Sequence, residues 1–220
     1  MSKPIPYTSG SINPVTGCKK YSRGCASCYA FTWAQRFRGG DFSIHYHPEK
    51  LDVIRRKKSG LWFVGSMTDL FQDGIEFSRV ADIINTIAVN PKAKFLVLTK
   101  RAKNMASFFR ACPAPANLGI GVTAEGQQEW DERVPILLSI KAAMRWVSVE
   151  PMLESVVADT DDLMRLDWVI VGPETGAKNR ECKHSWMEGL WRQTRGTGTP
   201  FFDKRNPYRL AREWPDGWGT

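Results

Sequence analysis

The chain has 220 residues, with 31 Lys and Arg against 23 Asp and Glu, a net charge of +8, and is 42% hydrophobic and 25% charged. That profile fits one folded domain, residues 1–220, and excludes a disordered tail, a collagen-like fibre and a low-complexity linker. No apolar run approaches the roughly 20 residues of a membrane-crossing helix, and Met1-Ser2-Lys3-Pro4-Ile5-Pro6 lacks the apolar stretch of a secretory signal; no membrane association and a cytoplasmic location are expected.

In chain order, a short strand is expected near residues 12–15, followed by a loop that holds three of the five cysteines. Leu61-Trp62-Phe63-Val64-Gly65 reads as a buried strand that stops at Ser66-Met67-Thr68-Asp69. A helix over 77–89 follows, with Val80, Ile83, Ile84 and Ile87 on one face. The run 95–98 stops at Thr99-Lys100-Arg101 and leads into a helix over 102–110. The run 118–122 stops at Thr123-Ala124-Glu125 and leads into a helix over 127–140, which Pro135 limits or kinks. The run 145–149 stops at Glu150-Pro151, and 168–171 stops at Gly172-Pro173-Glu174-Thr175-Gly176. A helix over 184–194, with Ser185 as its cap, precedes a last run, 200–202, that stops at Asp203-Lys204-Arg205. Continuous apolar runs suit parallel strands covered on both faces, and strand–helix alternation builds βα units. Seven strands, none followed by Gly-x-Gly-x-x-Gly, favour an α/β fold, a partial or complete (β/α) TIM-like barrel, over an open doubly wound sheet.

In such barrels the C-terminal strand ends carry the chemistry. Here they hold Ser66, Asp69, Thr99, Lys100, Arg101, Thr123, Glu125, Glu150, Glu174, Asp203 and Lys204. Taken as a set they describe one polar pocket, although polar residues end most strands. The segment 206–220 interleaves Tyr208, Arg209, Arg212, Trp214 and Trp218. It suits either nucleic-acid contacts or a packed terminal cap.

The cysteine segment reads Cys18-Lys-Lys-Tyr-Ser-Arg-Gly-Cys25-Ala-Ser-Cys28. Five cysteines make no secreted disulfide framework, and Cys112 and Cys182 read as isolated thiols. A structural zinc site wants four ligands, so His45 or His47 would have to complete a Cys3His set. The other use of three thiolates is to hold a [4Fe–4S] cluster and leave one iron open to a further ligand. Lys19, Lys20 and Arg23 offset the negative charge of such a site. Gly17 and Gly24 permit a tight turn that points amides at sulfur.

Asn13-Pro14-Val15-Thr16-Gly17-Cys18 and Gly24-Cys25-Ala26-Ser27-Cys28-Tyr29-Ala30 resemble the phage-encoded three-cysteine-motif protein family, a divergent branch of the radical SAM superfamily. The likeness extends through His47-Pro48-Glu49, Ser66-Met67-Thr68-Asp69-Leu70-Phe71, Leu98-Thr99-Lys100-Arg101, Ser148-Val149-Glu150-Pro151, Asp167-Trp168-Val169-Ile170-Val171-Gly172 and Pro200-Phe201-Phe202. The sequence departs from the common radical SAM spacing, C-x3-C-x2-C, in having six residues rather than three in the first gap. Ser27, rather than an aromatic residue, precedes the third cysteine.

The resemblance implies a [4Fe–4S] cluster on Cys18, Cys25 and Cys28 and S-adenosylmethionine (SAM) as cofactors, with an electron donor such as flavodoxin or ferredoxin. Lys100 or Arg101 would meet the SAM carboxylate. Ser66, Asp69, Thr99, Thr123, Glu125, Glu150 and Glu174 would meet its other polar groups, and Gly172 and Gly176 would let backbone approach adenine or substrate. It also implies DNA or a modified nucleotide as substrate, through hypermodification such as isomerisation of an amino-acid-substituted thymidine. A DNA-lesion repair lyase uses the same machinery. A non-catalytic zinc-stabilised nucleic-acid-binding protein and a radical SAM enzyme for a peptide or metabolite complete the alternatives. The positive charge favours a polyanionic partner.

Overall fold

A computed structural model describes residues 5–175, 179–205 and 208–219. In chain order its elements are β1 (Gly10–Ile12), β2 (Val15–Thr16), a 3-10 turn (Arg23–Cys25), α1 (Tyr29–Phe37), β3 (His45–Tyr46), α2 (Glu49–Arg55), β4 (Leu61–Val64) and α3 (Phe77–Ala88). They continue with β5 (Lys94–Thr99), α4 (Ala102–Ala111), β6 (Leu118–Thr123), α5 (Gln127–Leu138), β7 (Met144–Val149), α6 (Thr160–Arg165), β8 (Trp168–Val171), α7 (His184–Thr197) and β9 (Phe201–Asp203). Seven strands form one sheet in the order β1-β4-β5-β6-β7-β8-β9, each pair parallel. The sheet curls into a half-barrel, and among the described residues β9 and β1 do not pair.

Alternate strand residues point to opposite faces, and the two faces are built differently. Outward residues such as Val97, Ile120, Val122, Val147, Val169 and Phe201 pack with Ile83, Ile87, Met105, Val134, Leu137 and Leu190 of the helices. Among the described residues no helix covers the concave face. It is filled by its own side chains: Leu61, Phe63, Leu96, Met144, Trp146, Trp168, Ile170 and Phe202, with Tyr7 and Trp218. Aromatic edges meet there, Tyr7 lying 6.1 Å from Trp146, 5.4 Å from Trp168 and 5.6 Å from Phe202 between ring centroids. Gly121 makes room for them. A Cβ at that position would sit 2.5 Å from the Trp146 indole.

The segment after β9 is a cap, one of its two sequence readings. Asp203 N donates to Ala211 O (2.9 Å) and Glu213 N to Phe201 O (2.9 Å), so the chain runs back along the β9 edge. Trp168 Nε1 donates to Glu213 O (2.8 Å), and Trp214 Nε1 donates to Tyr7 O (3.3 Å), which links this segment to the chain ahead of β1.

Most expected elements form within two or three residues of their expected ends. Pro135 lies inside α5, in its last turn, where the helix continues to Leu138. The cap of α7 is Lys183 rather than Ser185, and its side chain makes no capping bond. The single strand expected near 12–15 is two: β1 joins the sheet, whereas β2 pairs antiparallel with β3. Among the described residues no helix is long and apolar enough to cross a membrane.

Candidate active site at the strand ends

Register sorts the concave face into layers. Leu98, Gly121, Trp146 and Trp168 lie side by side. One step toward the C-terminal ends come Thr123, Ser148, Ile170 and Phe202. By the same alternation Lys100 continues the second layer beside Thr123, and Glu150, Gly172 and Lys204 follow at the rim. The concave face therefore changes from aromatic to hydroxylic to charged over a few residues. Ser148 Oγ and Trp146 Nε1 are buried there without a hydrogen-bond partner. At the rim Lys204 Nζ donates to Glu150 Oε2 (2.5 Å), and Lys204 lies 5.9 Å from the Tyr7 ring centroid. Burial first, then the charges of Glu150 and Tyr29, raise the Tyr7 pKa well above its ordinary value, so its phenol stays protonated.

The cysteine loop lies over this rim and is tied to five successive strand ends. Beyond β4, Gln72 accepts from Lys19 N (2.8 Å) and donates to Gly17 O (2.8 Å), and Thr68 Oγ1 also donates to Gly17 O (2.7 Å). Beyond β5, Arg101 donates through Nη2 to Lys19 O (3.0 Å) and through Nη1 to Asp69 (3.0 Å), both side chains being buried. Asp69 also accepts from Thr99 Oγ1 (2.6 Å), Lys100 N (3.0 Å) and Phe71 N (3.1 Å), so its oxygens are fully engaged. Beyond β6, Glu125 is 0% exposed. It accepts from Ser22 Oγ of the loop, from Lys100 Nζ and from Arg133 Nη1 (2.9 Å). Burial alone would raise its pKa; Lys100 and Arg133 outweigh that and hold it below the ordinary carboxylate value. Arg23 of the loop pairs with Glu129 of α5 (2.8 Å) and, beyond β7, with Glu154 (2.5 Å). Beyond β8, Glu174 binds the Arg180 guanidinium, whose Nη2 reaches Arg23 O (3.1 Å). The hydrogen bonds from Arg180 hold the Glu174 pKa below its ordinary value.

The glycines of the loop have distinct reasons. Gly17 takes φ +91°, and a Cβ there would lie 1.8 Å from Ser43 O. Gly24 is needed for space, since a Cβ would lie 2.5 Å from Glu125 Oε1. The expected pointing of the Gly17 amide at sulfur is not found: Gly17 N donates to Met67 O (3.0 Å), and it is Tyr21 N that donates to Cys25 Sγ (3.4 Å). Cys25 is buried, Cys18 and Cys28 half-buried, and none is in a disulfide. Cys28 immediately precedes α1, where a helix N-terminus favours an anion. Burial, then Asp69, pushes the Cys18 thiol up to about 11, Arg101 acting in the opposite sense.

Cys18, Cys25 and Cys28 are soft donors of the kind an iron–sulfur cluster takes, and Cys25 and Cys28 lie near enough to Cys18 to act on its pKa. Among the described residues no three His, Cys, Asp or Glu side chains converge as one metal ion requires; thiolates around a four-iron cube stand apart, each on its own iron. Neither expected zinc histidine is drawn in. His47 Nε2 bonds Thr16 Oγ1 (2.8 Å), and His45 bonds Asp41 (2.8 Å) and Ser43 (2.9 Å).

The sequence-expected site residues thus separate into two groups. Asp69, Thr99, Arg101, Glu125 and Glu174 hold the loop or one another. Lys100, Thr123 and Glu150 lie on the concave side, and Ser66 sits at the β4 end, its Oγ donating to Asn13 Oδ1 (3.2 Å) and its carbonyl accepting from Tyr29 Oη. Gly176 lies outside the described residues. Sequence reading missed Tyr7, Tyr29, Gln72, Arg133, Ser148 and Arg180. Strand parity would have found Ser148, two residues beyond Trp146.

A family described as a protein of unknown function (DUF5131) matches residues 2–210. No curated protein matches the sequence. Among solved structures, a cysteine-to-alanine variant of spore photoproduct lyase with dinucleoside spore photoproduct aligns at a TM-score of 0.59 and 10% identity, covering 89% of this chain and 76% of that one. A double variant of the same lyase with bound AdoMet and dinucleoside spore photoproduct aligns at 0.56 and 9% identity, with the same coverage. At these identities the likeness establishes the fold.

Proposed function

This chain belongs to the DUF5131 family, and we propose that it is a radical SAM enzyme acting on a nucleobase in DNA. The observation that carries the reading is the three-cysteine loop fastened over the polar rim of a half-barrel. Cys18, Cys25 and Cys28 would hold a [4Fe–4S] cluster, and the polar groups of the rim would hold SAM. Bound there, a reduced cluster and SAM would supply the one-electron chemistry that breaks a substrate C–H bond.

The chain's own residues position and exclude water. The Trp146, Trp168 and Phe202 floor keeps solvent from the concave face below the rim. Lys100, whose side chain is 19% exposed where Glu125 is wholly buried, would meet the SAM carboxylate. Thr123, the unpartnered Ser148 hydroxyl and Glu150 offer hydrogen bonds to the amine and ribose. Arg101, Asp69, Glu125 and Glu174 act one step away, by fixing the cysteine loop. Lys204 sets the orientation of Glu150.

Hypermodification, with isomerisation of an amino-acid-substituted thymidine in phage DNA, is the first version of the reaction. A lesion-repair lyase is the second, and the fold shared with a lyase solved on a dinucleoside photoproduct favours it. The protein works in a reducing cytoplasm with a flavodoxin or ferredoxin as electron donor. The test supplies anaerobic protein with SAM, a reductant and DNA carrying either substrate, followed by nucleoside mass spectrometry. An isomerase shifts retention at constant mass, and a lyase restores thymidine. If neither DNA reacts and a peptide or metabolite does, the nucleobase reading falls.

A further inference from the structure

Helix α1 is built the wrong way round for a helix whose outer face meets only water. It buries Ala30 and Ala34 and exposes its largest side chains: Tyr29 is 52% exposed, Trp33 41% and Phe37 68%. Spaced four apart, the three lie along one face with a rise of about 6 Å between successive Cα positions. Trp33 and Phe37 lie 5.5 Å apart between centroids, tilted by 42°. The row starts beside Cys28, and Tyr29 Oη reaches the Ser66 carbonyl at the rim. A contiguous aromatic patch of this kind marks an interaction surface.

The charge around it is one-sided. The first 40 residues contain six Lys and Arg and no Asp or Glu, so most of the chain's excess of +8 is concentrated there. Arg23 is neutralised by Glu129 and Glu154. Lys19, Lys20 and Arg36 are exposed, and Lys20 Nζ sits 5.1 Å from the Phe31 ring centroid.

We propose that the Tyr29–Trp33–Phe37 face of α1, with the exposed Arg36 of the same helix beside it, docks a single strand of DNA beside the site. Flat rings accept base faces, and neighbouring cations accept phosphates. Base faces are hidden inside a duplex and exposed in a single strand, and rings spaced like Trp33 and Phe37, 5.5 Å between centroids, suit bases drawn out of their stack. The assignment rests on the nucleobase substrate proposed above and adds where the strand runs.

The test is fluorescence anisotropy of a labelled single-stranded oligonucleotide with anaerobically prepared protein, over a salt series. Trp33→Ala and Phe37→Ala should each weaken binding about tenfold, the scale of one lost base–aromatic stack. Arg36→Ala should flatten the slope of log affinity against log salt by about 0.7, one phosphate contact on a single strand. Met164→Ala, an exposed apolar residue on α6, should change neither. Dithionite-driven SAM cleavage without DNA should be unaltered by Trp33→Ala and Phe37→Ala, which separates docking from chemistry. Wild-type affinity in the Trp33→Ala, Phe37→Ala double variant overturns the proposal. So does normal DNA binding with loss of flavodoxin-driven but not dithionite-driven cleavage, which would give this face to a protein electron donor. Failure of the wild type to cleave SAM would instead sink the radical reading, while the anisotropy result still decides the docking surface.

Discussion

The floor and the rim of the half-barrel are a few residues apart along the same strands and are held by opposite physics. Below, Tyr7, Trp146, Trp168 and Phe202 interlock edge to face, and packing density does the holding. Above, Asp69–Arg101, Lys100–Glu125–Arg133 and Glu174–Arg180 tie the cysteine loop down through charges taken partly or wholly out of water. Packing is insensitive to pH and salt, whereas an ion-pair clasp responds to both. A site assembled this way has a rigid base and a loop whose attachment depends on protonation.

Trp146→Ala is the largest break on the floor side. Removing a fully buried indole should cost about 3–5 kcal/mol of global stability, read as a lower midpoint in urea unfolding. Glu125→Gln breaks the rim. It leaves Lys100 and the buried Arg133 without their shared carboxylate, and breaking a buried pair costs about 3 kcal/mol. The loss should be concentrated in the loop, seen as faster hydrogen exchange over 17–28 with smaller change in the floor strands.

Acid sharpens the same contrast. Glu125, Glu154 and Glu174 all have pKa values lowered on folding. The stability they contribute is present above the ordinary value of 4.5 and is lost as pH falls below it through the lowered values. Loop protection should therefore decline below about pH 4.5 before the floor strands lose theirs, measured by exchange corrected for its intrinsic pH dependence. Arg23→Ala is the smallest break, since both of its carboxylate pairs are partly exposed on the arginine side. It should cost under about 1 kcal/mol and raise loop exchange only modestly.

What was legible in the sequence follows the same division. The seven apolar runs announced the parallel sheet because a strand covered on both faces must be apolar throughout. The cysteine spacing marked the loop. The roles of Asp69, Arg101, Glu125 and Glu174 were not legible, because a strand-end charged side chain reads identically whether it faces a ligand or a loop group more than 80 residues away, as with Arg101 and the Lys19 carbonyl. Helix α1 escaped notice because its buried face is only two alanines, so its apolar periodicity points outward. β2 and β3 are two residues each and carry no pattern of their own.

The central claim is that Cys18, Cys25 and Cys28 together hold an iron–sulfur cluster over the rim. Iron and acid-labile sulfide per chain in anaerobically purified protein test it most directly. The account predicts four of each in the wild type, the same in Cys112→Ala and Cys182→Ala, and loss of the cluster in Cys18→Ala, Cys25→Ala or Cys28→Ala. Stoichiometric zinc without iron, or a cluster that survives removal of any one of those three thiols, would contradict it.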